Sequence, residues 1–306
     1  MKTWMTLGAI GTIALGTMNG CGGDADTAFG ETSGSGASGG SGGSTSSSGG
    51  SGGTGGNGGT GAAGGNGGSG GGPSTACAAG EAAASGNGVL LWTTLDDDSA
   101  VATPNVGFGP GKHTGTFEPA LSADGLRVDA DGEWLEFPQT GGTASMPNVD
   151  LNTGSLDFCY KPNADHTDDA DRMIMRVPTM AGGLRFRKAG GANGNALQFI
   201  VVFSNGGPVG FVEWVVPSTD YTMNADEWYR LTATWSFGTT SEVKLYLDGV
   251  ELAVQAPAIA PPISLPTPDT MRPFVIGTDF DDQMMPRWNI DGVVDELVVY
   301  DNPIVP

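Results

Sequence analysis

Basic residues are scarce in this chain. Its 306 residues hold 13 Lys plus Arg against 34 Asp plus Glu, a formal net charge of −21. So acidic a balance disfavours nucleic acid and anionic lipid as partners. Histidine is scarcer still: the two are His113, in a Gly-rich stretch, and His166, in "DHTDDAD". Neither accompanies a recognisable Ser or Cys elbow, so nucleophilic triad chemistry has no foothold. Gly-x-Gly runs such as "GFGPG" (107–111) lie between strand patterns with no helix behind them, which excludes a phosphate loop. No stretch of helical length repeats apolar residues with a period of 3.6. The uncharged apolar stretch from Trp4 to Met18 is too short to span a bilayer as a mature helix.

Glycine is what the chain has in excess, and it is concentrated near the start. Gly30 to Gly72 comprises 43 residues, of which 23 are Gly, 10 Ser and 4 Thr. Nothing in it can build a core, so it reads as a flexible tether with a root-mean-square reach of roughly 35–40 Å. Ahead of it, Lys2 and the apolar Trp4–Met18 stretch have the form of a secretory signal. The stretch ends in "TMNGC", which resembles the lipobox of bacterial lipoproteins, although Met18 and Asn19 depart from the usual residues. The resemblance implies cleavage after residue 20 and a lipid on Cys21, with an ordinary signal peptide as the alternative. Gly22 follows where an aspartate would signal inner-membrane retention, so the expected location is the outer membrane, at the cell surface or its periplasmic face. The organisation is then a leader over 1–20, a tether over 21–75 and one domain over 76–306. Three cysteines are an odd number for an exported protein. With Cys21 lipidated, Cys77 and Cys159 remain either as a disulfide or as two buried thiols.

From Val89 onward, short apolar or alternating runs are separated by Gly, Pro, Asn and Asp. Thirteen candidate strands result, the first Val89 to Leu95 and the last Val293 to Tyr300, which predicts an all-β, two-sheet antiparallel jelly-roll sandwich. In "VKLYLDGVELAV", Asp248-Gly249 supplies the positive dihedrals of a type I′ hairpin. In "EWYRLTATWS", alternation puts Tyr229, Leu231, Ala233 and Trp235 on the core face. These two segments resemble the paired strands of laminin G-like domains in the concanavalin A-like lectin/glucanase fold. "LLWTTLDDD", "SLDFCYKP", "FVIGTDF" and "IDGVVDELVVYDNPI" resemble, in order, other strands of that family. The resemblance covers most of residues 89–304 and implies a single domain.

The adjacent carboxylates of "VVDELVV", Asp295 and Glu296, raise the question of an acid/base pair. Consecutive strand residues face opposite ways, so the expectation is one carboxylate per face and no glycosidase dyad, which needs separations of roughly 5–9 Å on one face. The strand motif Glu-x-Asp-x-x-Glu of catalytic relatives is absent, and "DADGEWLE" (129–136) reads as a turn. Clustered Asp side chains suit Ca²⁺, and the resemblance implies that calcium is a common companion of the fold. The expected structural clip joins Asp97, or a neighbour, to Asp295. Six of the tryptophans lie in the domain, and most are expected in the core. For ligand binding, the loop residues Asp281, Asp282, Arg287 and Trp288 form the preferred set, since sugar sites offer aromatic faces beside polar groups. The expected function is a non-enzymatic, lipid-anchored recognition or adhesion module for an extracellular polysaccharide or protein. A divergent glycoside hydrolase or polysaccharide lyase, or a structural envelope component, are the alternatives.

Overall fold

The computed structural model describes residues 77, 88–121, 123–141, 147–203, 210–257, 262–280 and 286–306. Cys21 and the tether therefore lie outside the described residues.

Two antiparallel sheets pack face to face. The strands of the first are β1 (Val89–Thr93), β3 (Thr116–Pro119), β4 (Asp124–Val128), β6 (Thr153–Pro162), β11 (Tyr229–Ser236), β12 (Glu242–Leu247), β13 (Val250–Glu251) and β17 (Gly292–Tyr300). Their order is β13-β12-β11-β6-β17-β4-β3, with β1 also on β17. The second sheet contains β2 (Lys112–His113), β5 (Leu135–Pro138), β7 (Arg172–Thr179), β8 (Gly182–Lys188), β9 (Leu197–Phe203), β10 (Gly210–Val216) and β14 (Pro273–Ile276). They run in the order β10-β9-β8-β7-β14-β5-β2. A short hairpin, β15 (Asp279–Phe280) with β16 (Pro286–Arg287), follows β14, and a five-residue helix α1 (Asp98–Ala102) follows β1.

Alternation builds the interior. Tyr229, Leu231, Ala233 and Trp235 of β11 face Leu197, Phe199 and Val201 of β9 in one core, and Trp235 stacks on Phe199 at 5.7 Å between ring centres. Trp214 and Trp235 are both fully buried. Burying one large side chain of this kind contributes about 3 kcal/mol, so the period-two pattern outweighs the weak local preferences of these segments. The β12–β13 turn has φ of +52° at Asp248 and +78° at Gly249, as the hairpin requires. Every candidate strand has its counterpart. The four further ones, β2, β3, β15 and β16, span two to four residues each, too short for a visible hydrophobic period.

The outer face of the first sheet is closed. Phe158 and Tyr160 point into the core, so Cys159 points outward, where it forms a disulfide with Cys77 across 5.7 Å between Cα atoms. Beside it, Asp157 accepts two bonds from Arg230 Nε (3.0 and 3.1 Å), one from Arg230 Nη2 (2.5 Å) and one from Thr232 Oγ1 (2.7 Å). Both partners are more than nine-tenths buried, a state tolerated because pairing and hydrogen bonds offset their desolvation. Cys77, the first described residue, is therefore held on this face.

Candidate functional site

β17 changes partners along one edge. Residues 292–294 pair with β4, and residues 297–300 pair with β1. At the handover its register with β6 slips between Asp295 and Val298, and Glu296 takes a left-handed φ of +51°. This is a β-bulge, with an extra residue on one strand. Val294, Leu297 and Val299 all face the core, so Asp295 and Glu296 both lie on the outer face. The expectation of one carboxylate per face is corrected here: strict alternation fails because the bulge inserts a residue.

The two carboxylates still do not make a hydrolytic dyad, for a different reason. Asp295 is fully buried and Glu296 is 5% exposed, so neither can be reached by a polysaccharide. Asp295 accepts from the Leu121 amide (3.4 Å) and the Glu296 amide (2.9 Å), and Trp92 Nε1 donates to Glu296 (3.5 Å). Burial, and then the neighbouring charges of Glu296 and Asp96, push the Asp295 carboxyl up to about 7.

The member of "LDDD" that approaches Asp295 is Asp96. Asp97 instead caps α1, accepting from the Ser99 and Ala100 amides (2.8 and 2.9 Å) and from Ser99 Oγ (2.6 Å). These bonds hold its carboxyl below the usual range. An Asp at the first cap is what a helix N-terminus selects, so Asp97 is already employed. Asp96 receives the Thr94 hydroxyl on Oδ2 (2.6 Å), while its Oδ1 is buried without a hydrogen-bond partner. An orphaned carboxylate oxygen is the type of group that a hard cation takes as a ligand. Among the described residues there is no group of three or more His, Cys, Asp or Glu placed together as a metal site. An ion here would thus draw further oxygens from backbone carbonyls or water.

A second constellation lies on the outer face of the second sheet. Leu184 and Phe186 of β8 face the core, which turns Arg185 and Arg187 outward. Arg176 of β7 lies directly opposite Arg185. Like charges so placed repel, and Arg176 is relieved by fully buried Asp279 at 2.6 Å. At the end of the sheet Arg187 donates to Gln198 Oε1 (2.9 Å) and lies 5.6 Å from the Trp288 ring centre. Trp288 is half-buried, with a left-handed φ of +55° that is unfavourable for a bulky side chain. Its carbonyl accepts the Met173 amide (2.8 Å), which helps hold that conformation. An aromatic face beside a guanidinium and an amide can stack against a sugar ring and bond its hydroxyls.

Of the sequence-predicted ligand residues, Trp288 takes part in this surface. Asp281, Asp282 and the Arg287 side chain lie outside the described residues. Sequence reasoning missed Arg187 and Gln198, whereas Asp96 falls within the expectation of Asp97 or a neighbour. The alternation in "LRFRK" could have found Arg187, because two core residues on one face force two arginines onto the other. Of the other tryptophans, Trp214 and Trp235 are core, while Trp92 contacts Glu296 on the outer face and Trp228 lies 5.5 Å from Lys161 Nζ. His113 bonds to Asp98 (2.7 Å) and the Gly115 carbonyl, and His166 to the Met223 backbone. Among the described residues neither meets a hydroxyl or thiol nucleophile.

Several solved structures are similar to this chain at low identity and with TM-scores below 0.5, and the chain spans about half their length. A chain of botulinum neurotoxin type C, whose cell entry is dependent upon interaction with two ganglioside molecules, is 10% identical (TM-score 0.48; 71% of this chain, 49% of that one). The binding domain of Paraclostridial Mosquitocidal Protein 1 is 11% identical (TM-score 0.46; 71% and 50%). No match is found among curated proteins. A family model described as the concanavalin A-like lectin/glucanases superfamily, of the third laminin G group, matches residues 138–306, more than half of the sequence. That match takes in β6 to β17, which supply most of both sheets, and the chain belongs to the laminin G-like branch of the concanavalin A-like lectin/glucanase superfamily.

Proposed function

We propose that this protein is an exported, lipid-anchored recognition module that holds an extracellular polysaccharide or protein on the outer face of its second sheet. The observation that carries the reading is the division of labour between the two faces. The Cys77–Cys159 bridge lies on the first sheet's outer face, and the Trp288–Arg187–Gln198 surface lies on the second sheet's. A lipid on Cys21 and a flexible tether of roughly 35–40 Å would give that surface reach and orientational freedom at the membrane, which a capture module can use. Calcium belongs to this reading as a structural ion rather than a ligand-binding one. Asp96 and Asp295 would hold it where β1, the segment after β3 and the bulge of β17 meet, and its charge would offset carboxylates that now repel.

A glycan array probed with the full chain, once with calcium and once with chelator, tests the reading. Saturable retention lost in Trp288→Ala is the expected result. Release of new reducing ends would overturn it in favour of a hydrolase.

A further inference from the structure

The second sheet carries another cavity at its opposite edge, where β2, β5 and β14 meet. It has a volume of about 380 Å³. Its flat walls come from Phe108, Pro110 and Pro273, and Lys112 and Glu136 form an ion pair (3.3 Å) across the β2–β5 register.

At the cavity wall Thr140 is 5% exposed, yet its Oγ1 has no hydrogen-bond partner. A buried hydroxyl left unpaired costs about 1–3 kcal/mol unless something else supplies the bond. The walls around it are pinned. The fully buried Asn148 clamps Phe108 from both sides, its Oδ1 accepting the Phe108 amide (2.8 Å) and its Nδ2 donating to the Phe108 carbonyl (2.7 Å) and the Pro138 carbonyl (2.8 Å). Buried Gln139 holds the other wall through the Asp269 amide (2.8 Å) and anchors itself on the Pro178 carbonyl (2.7 Å). Gly141 must lack a side chain, because a Cβ there would stand 2.4 Å from the Phe108 ring. Amides buried this fully and bonded on both ends fix Phe108 and the Gln139 backbone segment beside the groove, while the Thr140 hydroxyl sits just behind its wall.

We infer that this groove is a second binding site, and that it takes a neutral sugar ring. Flat apolar walls match the C–H face of a pyranose. The Lys112–Glu136 pair offers a donor and an acceptor side by side to a vicinal diol, and Thr140 takes a further hydroxyl. An anionic sugar is disfavoured. Lys112 is already balanced by Glu136, the Arg272 guanidinium lies 3.8 Å from Asp269, and the domain from residue 77 onward carries 31 Asp plus Glu against 12 Lys plus Arg. The volume falls at the lower end of small-ligand sites and admits about one or two rings. The site stands apart from the Trp288 surface and does not rest on it.

Met271 at the rim is 91% exposed and reports occupancy. The experiment records methyl spectra of the full chain labelled at its methionines, with the Met271 signal assigned through Met271→Leu. Neutral gluco-, manno- and galacto-configured oligosaccharides and a uronate series are titrated. A neutral sugar is expected to move the Met271 methyl saturably, and Thr140→Val to weaken that titration roughly three- to tenfold. If Thr140→Val does not fold, Glu136→Gln decides, since it keeps the shape and removes one charged acceptor. Trp288→Ala is expected to leave the Met271 titration unchanged. The inference is overturned if no neutral sugar moves Met271 at millimolar concentration, if only uronates do, or if the groove variants bind like the parent. Loss of the Met271 response in Trp288→Ala would assign the binding to the Trp288 surface and overturn it as well.

Discussion

In the absence of calcium, raising the pH from 5 to 8 should destabilise the protein. Burial and the adjoining carboxylates place the folded-state value of Asp295 near 7, against an ordinary value of 3.8. The folded state therefore holds a proton that the unfolded chain releases, so the contribution is fully present below 3.8 and is lost as pH rises through 7. At about 1.4 kcal/mol per pH unit, the full displacement corresponds to roughly 4 kcal/mol, an upper figure because local rearrangement relieves part of it. For a folded part of about 230 residues this is on the order of 10 °C in Tm. Glu118 and Asp168, whose folded values are lowered, lose their contribution only in more acidic solution, below this window. Calcium at millimolar concentration should cancel the loss at pH 8 and do little at pH 5, where a proton occupies the site. Asp295→Asn should flatten the pH dependence and abolish the calcium response. Thermal melts over this grid are the assay. A Tm independent of pH between 5 and 8 without calcium, or an Asn variant that still responds to both, would refute the reasoning.

Further outcomes follow from other parts of the molecule. Asp157→Ala leaves buried Arg230 without its bidentate partner and should cost about 3–5 kcal/mol, read from urea unfolding, whereas a surface change such as Lys244→Ala should cost under 1 kcal/mol. Replacing Cys77 and Cys159 by Ser removes a cross-link between residues 82 apart, and should lower stability by up to about 4–5 kcal/mol in the same assay. Trp288→Asn suits the left-handed backbone better than Trp does, so glycan retention should fall while Tm stays within a few degrees of the parent.

The strands were legible because burial on one face writes itself as period two: β11 and the β12–β13 hairpin could be assigned to core and solvent faces residue by residue. The bulge in β17 was not legible. Asp295-Glu296 carries no Gly or Pro to mark it, and the cause is tertiary, since β17 exchanges β4 for β1 at that point. The same limit explains the choice within "LDDD". Three consecutive aspartates look alike in sequence, and α1, which takes Asp97 as its cap, is too short at five residues to show a period. Trp288 could be picked out as an aromatic in a polar loop, while its partner Arg187 lies 101 positions earlier and meets it only through sheet packing. The groove at the β2–β5 edge was likewise invisible, because its shape rests on two amides, Asn148 and Gln139, that read in sequence as ordinary loop polar residues.

The central claim is that the second sheet's outer face holds a ligand without transforming it. Incubating the full chain with a panel of extracellular polysaccharides in calcium, and measuring bound protein and new reducing ends in the same samples, tests this most directly. The account predicts saturable binding that Trp288→Ala weakens, with reducing ends unchanged over the incubation. Reducing ends that accumulate with time, or binding that Trp288→Ala leaves intact, would contradict it.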